Sequence, residues 1–463
     1  MREWWADTFV SLREPRYRVL WLGTLVNFGA LWIAIVARGF LTFDITDSTI
    51  ALGLIFFGFG IPMLVLTPIS GIIADRVPRK PVMVAAQWSF VLTNGVIAGL
   101  ILADALEFWM LFVAAIAEGA GVAIGIPARQ ALIGDFVEDE ELGNAMALQQ
   151  VAFNAARVIM PSVAGVLIAV EFVGMGWTFA LLTALYAVAA MIFMAVPAAP
   201  RRTVATSSFV SDFVGGVRYI RSRPSILTLV LAAYAVELTV FPYFAFLPAY
   251  VEDVLGATGD QGTSIELGVL TTVVAVGALV TSLWVANIAD RAQAWTVHAI
   301  SAVLFGLLLV LLAVGPESAE EFVVGVWPAF EDSTLLGIAL TPAYLAALAI
   351  GVVIGAAEIG FLSLNQSLAM KYAHREYYGR VQAVLLLGFA LNGWAGLPIG
   401  ILAEVIGIRE TFAILGVVGA VGAAVLLIWG NRRGARADAV SPEEVDELDL
   451  VAARERAAIA GSG

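Results

Sequence analysis

Five ionisable side chains stand inside long apolar runs: Arg38, Glu118, Arg157, Glu237 and Glu358. Charge in such surroundings is costly unless it is paired or wet, so each position marks either a fixed ion pair or a place that moves charge. A carboxyl stripped of water can gain and lose its proton near neutral pH, which is the chemistry of proton-coupled exchange. Glu118, Glu237 and Glu358 are the candidates. The competing reading is an Arg38–Glu118 pair that holds helices together and never titrates. Arg38, nearer the end of its run, also has Asp44 within reach or can snorkel. Arg157 is expected to point towards the first or fourth run and to bond carbonyls or Glu118.

The runs that carry these residues must span a membrane. Hydrophobic residues make up 60% of the 463-residue chain and charged residues 14%, against roughly half and a quarter in soluble domains. Twelve apolar runs are legible, at about 18–43, 50–73, 81–102, 108–133, 144–170, 174–196, 226–250, 265–289, 295–314, 342–369, 380–405 and 410–430. Backbone at membrane depth must satisfy its own hydrogen bonds, so these are helices. Glu118 lies ten residues into its run, roughly 15 Å down at 1.5 Å per residue and near the bilayer midplane. Glu237 has a similar depth from the opposite end.

Arginine and lysine sort to one side. Arg13, Arg16, Arg18, Arg76, Arg79, Lys80, Arg201, Arg202, Arg218, Arg221, Arg223, Lys371, Arg375, Arg380, Arg432, Arg433 and Arg436 fall in loops or flanks of that side. Asp44, Asp47, Asp104, Glu107, Glu252, Asp253, Glu317, Glu320 and Glu321 fall on the other, where Arg409 is the lone base. Basic loops stay inside, so both termini are expected in the cytoplasm and the protein in the cell's inner (cytoplasmic) membrane. No signal-peptide pattern opens the chain. Trp4, Trp5, Phe9, Val10 and Leu12 form one apolar face suited to the membrane surface. The net charge of −13 is compatible with a saline habitat, and the rarity of lysine equally with base composition.

The chain repeats itself. Ile73-Ala74-Asp75-Arg76 matches Ile288-Ala289-Asp290-Arg291, Leu52-Gly53 matches Leu267-Gly268, and Asn154…Pro161…Gly165 resembles Asn392…Pro398…Gly400. The offset grows from 215 to about 236, which puts the extra residues in 315–341, read as an elongated outer loop. Two six-helix halves follow, 18–196 and 226–430, with a segment 1–17 before them, a linker 197–225 between them and an acidic tail 431–463 that has a helix start at Ser441-Pro442-Glu443-Glu444.

One loop carries a family resemblance. Gly71-Ile72-Ile73-Ala74-Asp75-Arg76-Val77-Pro78-Arg79-Lys80 joins the second and third runs. It resembles the G-x-x-x-D-R-x-G-R-[RK] signature of the major facilitator superfamily, with Pro78 where the family often has Gly. The resemblance implies an all-α membrane fold of twelve helices in two pseudo-symmetric bundles, working by alternating access. It implies that helices 1, 4, 7 and 10 line a central cavity; Arg38, Glu118, Glu237 and Glu358 fall one on each. It implies a conformational latch built from Gly71, Asp75, Arg76, Arg79, Lys80, Arg129, Asp290 and Arg291, in which Asp75 meets the start of helix 11 near Gly379 and Arg380 and pairs with Arg129. The plainer alternative is that these charges only satisfy the positive-inside rule. The segment around Arg157 and Pro161 resembles the Gly-Pro motif of antiporters, with Met160 in place of a Gly.

Three further strings are similar to the exporter branch with the enterobactin exporter, macrolide efflux proteins and transmembrane secretion effectors: Val36-Ala37-Arg38-Gly39-Phe40-Leu41, Pro127-Ala128-Arg129-Gln130-Ala131-Leu132 and Asn144-Ala145-Met146-Ala147-Leu148-Gln149. Expected cavity-lining residues are Phe28, Trp32, Phe241, Tyr243, Phe244, Phe361, Asn365 and Trp394; for each aromatic, lipid contact or bundle packing is the competing reading. So apolar a cavity suits a small amphipathic organic substrate better than a sugar or phosphate. Proton-driven export is the leading expectation. A proton-independent importer or lipid facilitator, and a non-transporting sensor or scaffold, are the alternatives. With no cysteine and two histidines, thiolate or histidine metal clusters are excluded. No phosphate-binding G-x-x-x-x-G-K-[ST] string occurs. No enzyme, cofactor or nucleic-acid partner is expected; the expected partners are substrate, protons and lipid, with the monomer as family default.

Overall fold

Long apolar sequence with interior backbone bonding makes helix the dominant element. The computed structural model describes residues 10–433 except 139–140, 170–173, 198–208, 257–259, 289–290, 292, 327–333, 336–337 and 375–376; for 68–76, 209–213, 260–264, 324–326 and scattered single positions it describes the backbone alone. Twelve spanning helices follow in order: α1 Pro15–Thr46, α2 Thr49–Arg76, α3 Arg79–Leu102, α4 Phe108–Phe136, α5 Leu142–Ala169, α6 Gly174–Ala195, α7 Pro224–Asp253, α8 Asp260–Ile288, α9 Ala294–Val326, α10 Pro342–Tyr372, α11 Tyr378–Ile406 and α12 Ile408–Arg432. An amphipathic helix, Phe209–Ser222, lies between α6 and α7. The chain is a multi-pass membrane protein with an all-helical architecture.

Two corrections apply to the runs. The seventh is not one regular helix: Pro224–Thr239 gives way to a 3-10 stretch, Phe241–Phe246, before Leu247–Asp253 resumes. Pro242 and Pro248 lack the amide hydrogens a continuous α-helix needs there. The ninth run does not end at 314. It continues through Pro316 to Val326, and a short antiparallel pairing of Thr334–Leu335 with Ile338–Ala339 follows. The first part of the expected long outer loop, 315–326, is therefore helix. Tertiary contacts hold it: Glu317 pairs with Arg409, and Glu320 Oε2 accepts the Ala343 amide of α10 at 2.9 Å.

The repeat is visible in the packing. Helix α2 packs on α4 as α8 packs on α10; α3 packs on α6 as α9 packs on α12; α1 packs on α5 as α7 packs on α11. The halves meet through α2 with α11 and α5 with α8, two contacts that the same symmetry exchanges. Small residues permit this approach, as expected where lipid offers no hydrophobic drive between helices. A methyl group on Gly60 would lie 2.9 Å from Gly393 Cα, and one on Gly268 would lie 2.9 Å from Gly165 Cα. At the end bearing the acidic loops, Glu404 Oε2 of α11 accepts the Thr49 amide at 3.0 Å and the Thr49 hydroxyl at 2.9 Å, and Thr49 Oγ1 also donates to Gly400 O at 2.9 Å. A carboxylate at a helix N-terminus is also favoured by the helix dipole.

The four residues before Glu14 and α1 are tied to the start of α5. In Val10–Arg13, Ser11 is buried and its hydroxyl donates to Glu141 O and Asn144 Oδ1 at the start of α5. Trp4, Trp5, Phe9 and the tail helix start lie outside the described residues.

Candidate functional site

The five intramembrane charges resolve into three arrangements. Helix α1 presents Arg38 and α4 presents Glu118, both buried. Arg38 Nη1 donates to Glu118 Oε2 at 2.6 Å and Nη2 to Oε1 at 2.5 Å, while Asn94 Nδ2 of α3 adds 2.8 Å to Oε1. A fork-on-carboxylate pair with a third donor is a closed, charge-assisted network. Arg38 therefore pairs with Glu118 and not with Asp44.

Arg157 departs from expectation. It reaches across the halves to form an ion pair with Glu358 of α10. Its guanidinium lies 5.5 Å from the Trp32 ring of α1 and 5.8 Å from the Phe241 ring of α7. The direction towards helix 1 holds, but the acid is Glu358, not Glu118. Among the described residues, Glu358 Oε2 is buried with no hydrogen-bond partner, and Glu237, buried on α7 just before the 3-10 stretch, accepts a single long bond, from Asn392 Nδ2 of α11 at 3.3 Å. Glu237 and Arg157 also feel each other's charge.

Aromatic rings connect these groups. Phe28 meets Phe153 edge-on at 5.0 Å, Trp32 lies 5.6 Å from Phe153, and Trp32 meets Phe244 across the halves at 5.9 Å. At the far end of this slab, Arg129 of α4 covers the Phe28 ring at 4.9 Å. Asn27 Oδ1, Trp32 Nε1, Gln149 Nε2 and Tyr243 Oη are buried without a hydrogen-bond partner among the described residues, which an apolar protein interior rarely leaves unexplained.

Three of the expected lining residues sit elsewhere. Trp394 is 39% exposed on the outer face of α11 and packs on Phe57. Phe361 is buried and stacked on His298 at 5.0 Å, and Asn365 Oδ1 meets His298 Nε2 at 3.0 Å, inside the α9–α10 packing. Tyr243 packs its ring on Phe305 and Phe412 at 5.9 and 6.5 Å within its half, and it also feels the charge of Arg157. Phe28, Trp32, Phe241, Tyr243 and Phe244 do join the charged centre. Phe153, Asn94 and Asn392 were not singled out; the one signal for the asparagines was polarity within an apolar run.

In the signature loop, Arg79 Nη1 bonds both oxygens of Asp135 at 2.6 Å, and Lys80 Nζ donates to Met194 O at 2.8 Å, all within one half. Arg291 is exposed. Asp290 and the side chains of Gly71, Asp75 and Arg76 lie outside the described residues. Arg380 packs against Gly216 of the linker helix and the Tyr377 ring.

A family model described as transmembrane secretion effector matches residues 6–328. The chain belongs to this family of major facilitator transporters. It is similar over 395 residues, at 25% identity, to the uncharacterised transporter YfiS of Bacillus subtilis, covering 83% of this chain and 86% of that one. It is 23% identical to the enterobactin exporter EntS of Shigella flexneri over 296 residues, 63% of this chain and 68% of the other. Among solved structures, a bacterial homologue of the lysosomal transporter Spinster, in an inward-facing and occupied conformation, shares the fold with a TM-score of 0.68 at 16% identity, over 93% of this chain and 99% of that one. The family consists of membrane transporters, not enzymes, as the signature loop implied.

Proposed function

We propose that the protein exports amphipathic organic molecules in exchange for protons, with its basic-loop end in the cytoplasm. One observation carries the reading: the Arg157–Glu358 ion pair bridges the halves beside Glu237. Alternating access requires the halves to move against one another, and an inter-half pair is made or broken in that movement. Protonation of Glu358 or Glu237 changes what Arg157 can hold, so proton occupancy and conformation become linked. Glu118 is assigned a different role. Its oxygens are taken by Arg38 and Asn94 inside one half, so it holds the bundle. Export is favoured by the secretion family and by the exporter relative.

The test uses everted vesicles with an inside-acid gradient and a pH-sensitive dye, while siderophores, macrolides and lipophilic cations are added. Substrate-dependent proton release is expected from the wild type and from folded Glu118→Gln. It is expected to vanish in Glu237→Gln or Glu358→Gln. Substrate transport that persists in those two variants would mean a proton-independent carrier.

A further inference from the structure

Arg129 is a buried cation that neither the proposed exchange nor the Arg38–Glu118 pair uses. It is 7% exposed, its Nε has no hydrogen-bond partner, and no carboxylate lies within ion-pair distance among the described residues. It stands eleven residues beyond Glu118 on α4. Three turns bring it back to the same helix face, ~16 Å nearer the basic end. Its guanidinium lies over the Phe28 ring at 4.9 Å. A ring face offsets only part of the cost of dehydrating a guanidinium. The other two arginines of the centre each hold a carboxylate; among the described residues this one holds none, and the Asp75 side chain lies outside them.

What surrounds it is suited to a ligand. Phe28 opens the aromatic slab that continues through Phe153 and Trp32. One turn before Phe153, the Gln149 amide is also buried without a partner at Nε2 among the described residues. A guanidinium and an amide donor on helices that carry edge-packed rings complement a negatively charged group on an aromatic body. A planar carboxylate suits the guanidinium fork best.

We infer that Arg129 is an anion subsite, and that the transported class includes aromatic-bodied organic anions whose charge sits on Arg129 while the body lies on Phe28 and Phe153. This rests on the transport reading above and adds the substrate's charge to it.

An acid and its ester test the charge alone. Binding of 2-naphthoate and methyl 2-naphthoate to the purified full chain would be measured by calorimetry. The acid is expected to bind at least tenfold more tightly than the ester. In Arg129→Gln the acid should fall to the level of the ester, with ester affinity unchanged, which also shows that the variant is folded. Arg129→Lys should keep part of the preference, and Phe28→Leu should weaken both compounds. Asp75→Asn should leave the preference intact. Equal binding of acid and ester by the wild type, binding of neither, equal weakening of both in Arg129→Gln, or the same loss in Asp75→Asn would each overturn the subsite. Loss of proton release with every substrate while the acid–ester difference survives would instead overturn the antiport reading alone.

Discussion

At the residue scale, two acids of one type have opposite environments. Glu118 accepts three bonds, two of them from Arg38, whereas Glu237 accepts one from Asn392 at 3.3 Å. Removing one partner of a buried pair leaves an uncompensated charge and costs about 3–5 kcal/mol. Glu118→Gln should therefore lower the thermal unfolding midpoint in detergent markedly, and Arg38→Gln with Glu118→Gln should recover part of the loss. Glu237→Gln should leave the midpoint within a few degrees of wild type while ending proton release. A reversal of these two results would exchange the roles assigned. The candidates themselves were legible in the sequence, because any ionisable residue in an apolar run is conspicuous. Of their partners, only Arg38 with Glu118 was among the readings. Arg157 shares an apolar helix with no acid, and nothing local chooses Glu358 over Glu118.

At the scale of elements, closure of the acidic-loop end depends on bare backbone. The α2–α11 crossing brings Gly60 onto Gly393, and Thr49 onto Gly400 and Glu404. The chain has no cysteine, so introduced pairs report without background. Phe57→Cys with Trp394→Cys should cross-link readily in the substrate-free protein, because the two side chains meet across α2 and α11 with ring centroids 5.3 Å apart and neither position is a close-packed glycine. Adding Gly393→Val should cut the yield several-fold, since its methyl groups would meet Gly60 and Phe56. Unchanged yield would show that the two helices separate there. Helix ends were read less well than helix existence. Pro316 and the acids after it resemble a loop, yet Glu317 and Glu320 bind Arg409 and the start of α10, and those long-range contacts extend α9.

At the scale of the molecule, the described residues join the two halves through glycine seams, the Trp32–Phe244 and Phe57–Trp394 ring contacts, the Thr49 bonds to Gly400 and Glu404, and the Arg157–Glu358 ion pair. Arg157–Glu358 is the charged link at the centre. Arg157→Gln should lower the Phe57–Trp394 cross-link yield by shifting the balance between end-states, and the exchange Arg157→Glu with Glu358→Arg should restore much of it. A double-mutant cycle isolates this coupling. Additive effects in that cycle would mean that the pair does not link the halves.

Length, apolarity and charge are local properties, and for that reason the sequence alone determined the class, the twelve spans, the repeat and the side on which bases gather. The signature loop and the relatives agree on the family. Which faces meet is not local. Helices apolar all round carry no stripe to show their neighbour, and lipid is as apolar as a leucine. Close glycine approach and the satisfaction of each buried charge had to be solved together across both halves. Only the tertiary structure therefore decided that Glu118 is closed by Arg38, that Arg157 crosses to Glu358, that Trp394 faces outward, and that Arg129 lies over the Phe28 ring.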